Sequence, residues 1–245
     1  KASEVHSIWA GNEKTAMESA IGMSYAGKRA MVCMKHVGLN VAADPFMNSS
    51  ITGANGGLVV VVADDPSMHS SQDEQDSRFY GKFAMVPVFE PSSQQEAYDM
   101  MSVAFDYSER VCLPVLMRVT TRMAHSRAVV ECADVPRQQN ELNYNAVAAN
   151  WVLLPANARK RNDKVTAQQP ELEEDALNSK YNSLSPALSQ SDGAKAALGI
   201  IASGIGYNYV MECLSSAGKG ADAFPILKIS QYPLPKKLVR RMLEA

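Results

Sequence analysis

The stretch GGLVVVVAD, residues 56–64, limits the folds open to this chain more than any other. From Leu58 to Ala63 every residue is apolar. The run therefore lacks the alternation of a half-exposed strand and the spacing of an amphipathic helix. Its valines favour an extended backbone. A strand that is apolar on both faces needs cover on both, which places it inside a parallel sheet flanked by helices. The neighbouring sequence supplies that cover. Residues 13–26 read as a helix, with Asn12 as N-cap and Gly27 as stop. Strands are expected over residues 5–9, 29–34, 86–89 and 113–120, and helices near 45–51 and over 92–108. This order predicts an α/β domain with a doubly wound, mostly parallel sheet over residues 1–130.

Residues 131–194 change character. Asn, Gln, Lys and Glu dominate, and the segment reads as a connection with some helix rather than a third core. A strand over 196–202 then leads through SGIGY into a helix, and FPILKI and LPKKLVRRMLEA add a strand and another helix. Residues 195–245 thus open a second α/β domain. SGIGY is a weak dinucleotide signal, because Tyr209 stands where a third glycine would be; close packing of helix on strand explains it better. The chain enters structured-looking sequence almost at Lys1, so it reads as a piece of a longer polypeptide.

Net charge is −2, which gives no basic field for nucleic acid or an anionic membrane. The longest apolar run is far too short to span a bilayer. Cys33, Cys112, Cys132 and Cys213 form no CxxC pair, so no metal ligand is assigned and no iron–sulfur site is expected from these residues alone. In strand-like surroundings the thiols read as reduced and buried, which suits the cytoplasm.

Chemistry in an open parallel sheet collects at the C-terminal ends of its strands. Glu13 falls at such an end. One reading makes it a carboxylate favoured by the amides of a first helical turn. The sharper reading makes it a half-dehydrated group that shares a proton with a ligand nitrogen. The loop DDPSMHSSQDEQDSR, residues 64–78, emerges at the same edge and offers Asp64 and His69 amid hydroxyls; a plain solvated loop is the alternative. His36 also follows a strand, as does His125 beside Arg122 and Arg127. A Ser/His/Asp triad has no GxSxG turn to support it.

Several stretches together resemble one family: NEKTAMESAIGMSYAGKRAMVCMKHVGLNVAADPFM, GGLVVVVADDPSMHSSQDEQDSRFYGKFAMVPVFEPSS, LPVLMRVTTRMAHSR and IIASGIGYNYV. They are similar to the alpha subunits of indolepyruvate:ferredoxin oxidoreductases, which are thiamine diphosphate-dependent 2-oxoacid:ferredoxin oxidoreductases. The resemblance implies oxidative decarboxylation of aryl 2-oxo acids to the acyl-CoA, with electrons passing through iron–sulfur clusters to ferredoxin. It implies a pyrimidine-binding domain in residues 1–130 and the start of a transketolase C-terminal-like domain in 195–245. Glu13 then bonds N1′ of the aminopyrimidine, and Gly38, Leu39 and Asn40 supply a second contact. His36, Asp64, Met68, His69 and Ser70 become substrate-side candidates, with Met68 lining an apolar slot. Coenzyme A, a beta subunit and an oligomeric assembly are the implied partners. Mg2+, the diphosphate site and the clusters belong to segments that this sequence lacks. A non-catalytic module for assembly or small-ligand binding is the rival reading, and a hydrolase using His69 or His125 a third.

Overall fold

The computed structural model describes residues 5–133, 140–143, 148–185 and 198–244. Regular structure starts with α1 (Glu13–Tyr25), whose N-cap Asn12 accepts a hydrogen bond from the Thr15 amide at 3.0 Å. There follow β1 (Ala30–Lys35), α2 (His36–Val41), α3 (Ala43–Thr52), β2 (Leu58–Asp64), α4 (Arg78–Ala84) and β3 (Val88–Phe89). Next come α5 (Gln94–Val111), β4 (Val115–Thr120), α6 (Thr121–His125) and α7 (Pro155–Leu177). The remainder holds β5 (Ser183–Ser185), β6 (Ile200–Ser203), α8 (Ile205–Ser216), β7 (Ile226–Ile229), β8 (Gln231–Tyr232) and α9 (Lys236–Glu244).

The larger sheet runs β1-β2-β4-β3-β8, with the first four strands parallel. β2 lies inside it, and alternate residues serve opposite faces. Leu58, Val60 and Val62 pack with Met17 of α1 and Phe46 of α3 on one side. Val59 packs with Met100 of α5 and Leu172 of α7 on the other. The apolar run is buried on both faces, as its lack of alternation requires. A smaller sheet, β5-β7-β6, pairs β6 and β7 in parallel and β5 antiparallel to β7.

Four features depart from the sequence reading. Residues 6–10 form no strand; Trp9 and Ile8 are exposed, because the sheet ends at β1 and no described strand offers them a ladder. The connecting segment contains α7, which lays Val165 and Leu172 against the sheet and so belongs to its core. Parts of that segment, residues 134–139, 144–147 and 186–194, lie outside the described residues, as do residues 195–197. β8 returns to pair antiparallel with β3, so packing does not divide at residue 130. All four cysteines are free and exposed rather than buried. Cys33 shows the reason: β1 alternates buried and exposed residues, and among the described residues no helix covers its outward face at the sheet edge.

The SGIGY turn packs closely, as expected. Gly204 has φ +47°, and a Cβ there would lie 2.7 Å from Cγ of Glu90.

Candidate active site

The C-terminal ends of β1, β2 and β4 converge at one edge of the sheet. Glu13 reaches that edge as the first residue of α1 and is half-buried. Its side chain lies against Gly38 of α2, the helix that continues directly from β1. A Cβ at Gly38 would stand 2.6 Å from Glu13 Cγ and 2.8 Å from Oε1. Only a glycine leaves room for the carboxylate there. No hydrogen bond or ion pair engages that carboxylate among the described residues. A partly dehydrated, unpartnered carboxylate is equipped to bind a donor supplied by a ligand.

The other expected pyrimidine-side residues behave differently. Leu39 is fully buried in the core with Met17 and Phe46. Asn40 is exposed, and its side-chain Oδ1 accepts the Tyr80 hydroxyl. His36 is buried; one ring nitrogen faces the Ala63 carbonyl at 3.4 Å and the other the Asp73 carbonyl at 3.1 Å. It ties α2 to the loop after β2 and offers no free edge to a ligand.

That loop, residues 65–77, folds back over the end of β1. Met68, His69 and Ser70 are exposed on it. Ser67 and Met68 both adopt left-handed backbone, φ +66° and +52°, which side chains of L-residues disfavour. The loop is held by Asp65, which sequence reasoning passed over. Its carboxylate accepts the amides of His69 (3.1 Å) and Ser70 (2.8 Å) and the hydroxyls of Ser71 (2.8 Å) and Thr121 (2.7 Å). The Thr121 hydroxyl, then the Ser70 amide, hold the Asp65 carboxyl well below the usual carboxylate range. Lys35, from the end of β1, donates to the Ser70 carbonyl at 3.1 Å.

Asp64 faces inward and is fully buried. It accepts Arg118 Nε at 2.5 Å and the Ser77 amide at 3.0 Å. Arg118 also pairs with Glu90, which receives Arg78; Arg78 in turn binds Asp76 and the Ser203 hydroxyl. Burial weakens the charge on Arg118, but Glu90 and Asp64 outweigh it and raise its pKa. This buried network joins the larger sheet to β6. Asp64 is thereby tied into the network through Oδ2, while its buried Oδ1 has no hydrogen-bond partner among the described residues. Arg118 within the apolar strand VLMRVT was the available sign that buried carboxylates lay nearby.

His125 ends α6 and is exposed, while Arg122 donates to the Tyr209 hydroxyl at 2.9 Å. The structure sets Glu13 against Gly38 and, through His36 and Asp73, ties α2 to the loop bearing His69 and Ser70.

A family model described as pyruvate flavodoxin/ferredoxin oxidoreductase, thiamine diphosphate-binding, matches residues 1–181. The chain belongs to this family. Among curated members, the indolepyruvate oxidoreductase subunit IorA of Archaeoglobus fulgidus is 44% identical over 233 residues, 94% of this chain and 36% of that protein. IorA of Pyrococcus abyssi is 42% identical over 247 residues, 98% of this chain and 37% of its own length. The chain therefore spans about a third of the curated relatives it matches. Its fold is similar to 2-oxoglutarate:ferredoxin oxidoreductase from Magnetococcus marinus, solved with 2-oxoglutarate, coenzyme A and succinyl-CoA. The TM-score is 0.67 at 14% identity, covering 96% of this chain and 47% of that one. The sheet here is mostly parallel with helices on both faces. No helix among the described residues is long and apolar enough to cross a membrane.

Proposed function

We propose that this chain is the aminopyrimidine-gripping part of an indolepyruvate:ferredoxin oxidoreductase alpha subunit, in an enzyme that oxidatively decarboxylates aryl 2-oxo acids to acyl-CoA. The observation that carries the reading is the half-buried Glu13 carboxylate, without a partner among the described residues and seated against Gly38 just past the end of β1. Those residues fit thiamine diphosphate: an acceptor with a free oxygen, beside backbone that a Cβ would fill. When bound, the cofactor supplies the reactive carbon and the electron sink.

The Glu13 carboxyl group would share a proton with a ring nitrogen of the bound cofactor, the task of a general acid–base group. Its partial burial removes competing water, and Gly38 sets how near the ring can come. Met68, His69 and Ser70 face the 2-oxo acid from the second loop, where an apolar neighbour and hydrogen-bond donors suit an aryl group and a carboxylate. Mg2+, the diphosphate site and the iron–sulfur clusters are assigned to other segments of the enzyme, and ferredoxin, coenzyme A and a beta subunit to its partners. Free cysteines suit a reducing cytoplasm.

The test is dye reduction by the assembled enzyme given indolepyruvate, coenzyme A and thiamine diphosphate. Glu13→Gln should lower the rate by about 100-fold or more while leaving the unfolding temperature unchanged. An assembly with wild-type sequence that oxidises no aryl 2-oxo acid refutes the proposal.

A further inference from the structure

We infer that Asp65 is a positioning residue that fixes His69 and Ser70 for the 2-oxo acid. The inference rests on the function proposed above and extends it to a residue outside the ligand contacts. Asp65 is buried, so it does not meet substrate itself. Its two carboxylate oxygens nevertheless receive the backbone amides of both candidate substrate residues. The other two donors anchor it: Thr121 opens α6 at the end of β4, and Ser71 closes the turn. One carboxylate therefore references the loop to the rigid ends of β2 and β4, while Lys35 references it to β1 through the Ser70 carbonyl. The left-handed backbone at Ser67 and Met68 shows that the turn is not relaxed. Strained non-glycine residues persist only where their surroundings over-determine them; here Glu74 accepts the Ser67 amide at 2.8 Å, the Asp65 carbonyl the Met68 amide at 3.0 Å, and the Asp65 carboxylate the two amides that follow. A neutral amide at the same place keeps one acceptor oxygen and turns an NH2 toward donors, so it cannot hold the set. The loop then loosens, and His69 and Ser70 lose their aim without any change at Glu13.

Two measurements on Asp65→Asn in the assembled enzyme test this. First, the 2-oxo acid kcat/KM should fall about 10- to 100-fold, mostly in KM, with the thiamine diphosphate Kd within about twofold of wild type. Second, hydrogen exchange at the His69 and Ser70 amides should accelerate at least tenfold, about one hydrogen bond's protection. Thr121→Val, which removes one anchor outside the loop, should shift both readouts the same way by less, and it decides the matter if Asp65→Asn does not fold. Unchanged KM in an active enzyme overturns the inference alone, as does a proportional loss of cofactor affinity, which marks general loosening. Unchanged amide exchange overturns it whatever the substrate. Absence of turnover with the wild-type sequence refutes instead the function on which it rests.

Discussion

Gly38→Ala gives a sharp prediction, because it adds one methyl group at the point where α2 faces Glu13. The new Cβ would lie 2.6 Å from Glu13 Cγ, 2.8 Å from Oε1 and 2.9 Å from Cδ. Comfortable carbon contacts begin near 3.5 Å, so the carboxylate must withdraw by about 1 Å. A hydrogen bond of about 2.9 Å to a ring nitrogen would stretch to about 3.9 Å, where it no longer counts as one. A misplacement of that size at a reacting group costs about 100-fold in rate, or about 2.7 kcal/mol of barrier. Stability should move the other way. Gly38 has helical backbone inside α2, and alanine is favoured over glycine in a helix by up to about 1 kcal/mol. The clash falls on a flexible, half-exposed side chain from its Cγ outward, and that side chain can turn aside. The assay pairs dye-coupled turnover with thermal unfolding and cofactor titration. Turnover within about threefold of wild type would refute the reasoning. So would a loss of stability as large as the loss of rate, because the effect would then lie in the fold.

Two further perturbations address the charges. Arg118→Met leaves Asp64 and Glu90 buried without the guanidinium that joins them and should cost about 3–5 kcal/mol in denaturant unfolding; a cost under about 1 kcal/mol would show the network to be dispensable. At the opposite edge of the sheet, hydrogen bonds from Arg29, Asn140 and the Gly57 amide converge on Glu109. Arg29, the largest influence, helps hold its carboxyl at about 2, against an ordinary 4.5. The stabilisation is therefore complete above pH 4.5 and lost as pH falls toward 2. Glu109→Gln should flatten the stability–pH curve in that window, and a curve as steep as that of wild type would contradict the assignment.

The sequence was most legible where one force dominated. The valines of β2 needed apolar cover on both faces and found it. Glu13 was singled out from an N-cap and a helix start, which the structure keeps, and from the end of a strand over residues 5–9, which it does not form. α7 was not, since Val165, Leu172 and Ala176 are sparse anchors in a strongly polar helix, and their stripe vanishes in any short window. β8 has two residues and no period to read; only its pairing with β3 defines it. Residues 5–9 show the converse: propensity for a strand without a neighbour produces none. Asp64 and Asp65 stand side by side, yet the alternation of β2 turns the first into the core, while the second begins the loop. Reading that switch required knowing where the strand stops.

The β3–β8 pairing also sets an order of events during synthesis. Glu90 and Tyr232, which close that edge with a hydrogen bond, are 142 residues apart. A nascent chain emerging from the ribosome can assemble β1, β2 and β4 early, but the flank beside β3 stays unzipped until nearly the last residue of this sequence is made. Long-range pairing of this kind is slow to form. Until it does, the buried carboxylate of Glu90 lacks its tyrosine, and the half-built sheet presents a bare edge to which other chains can adhere.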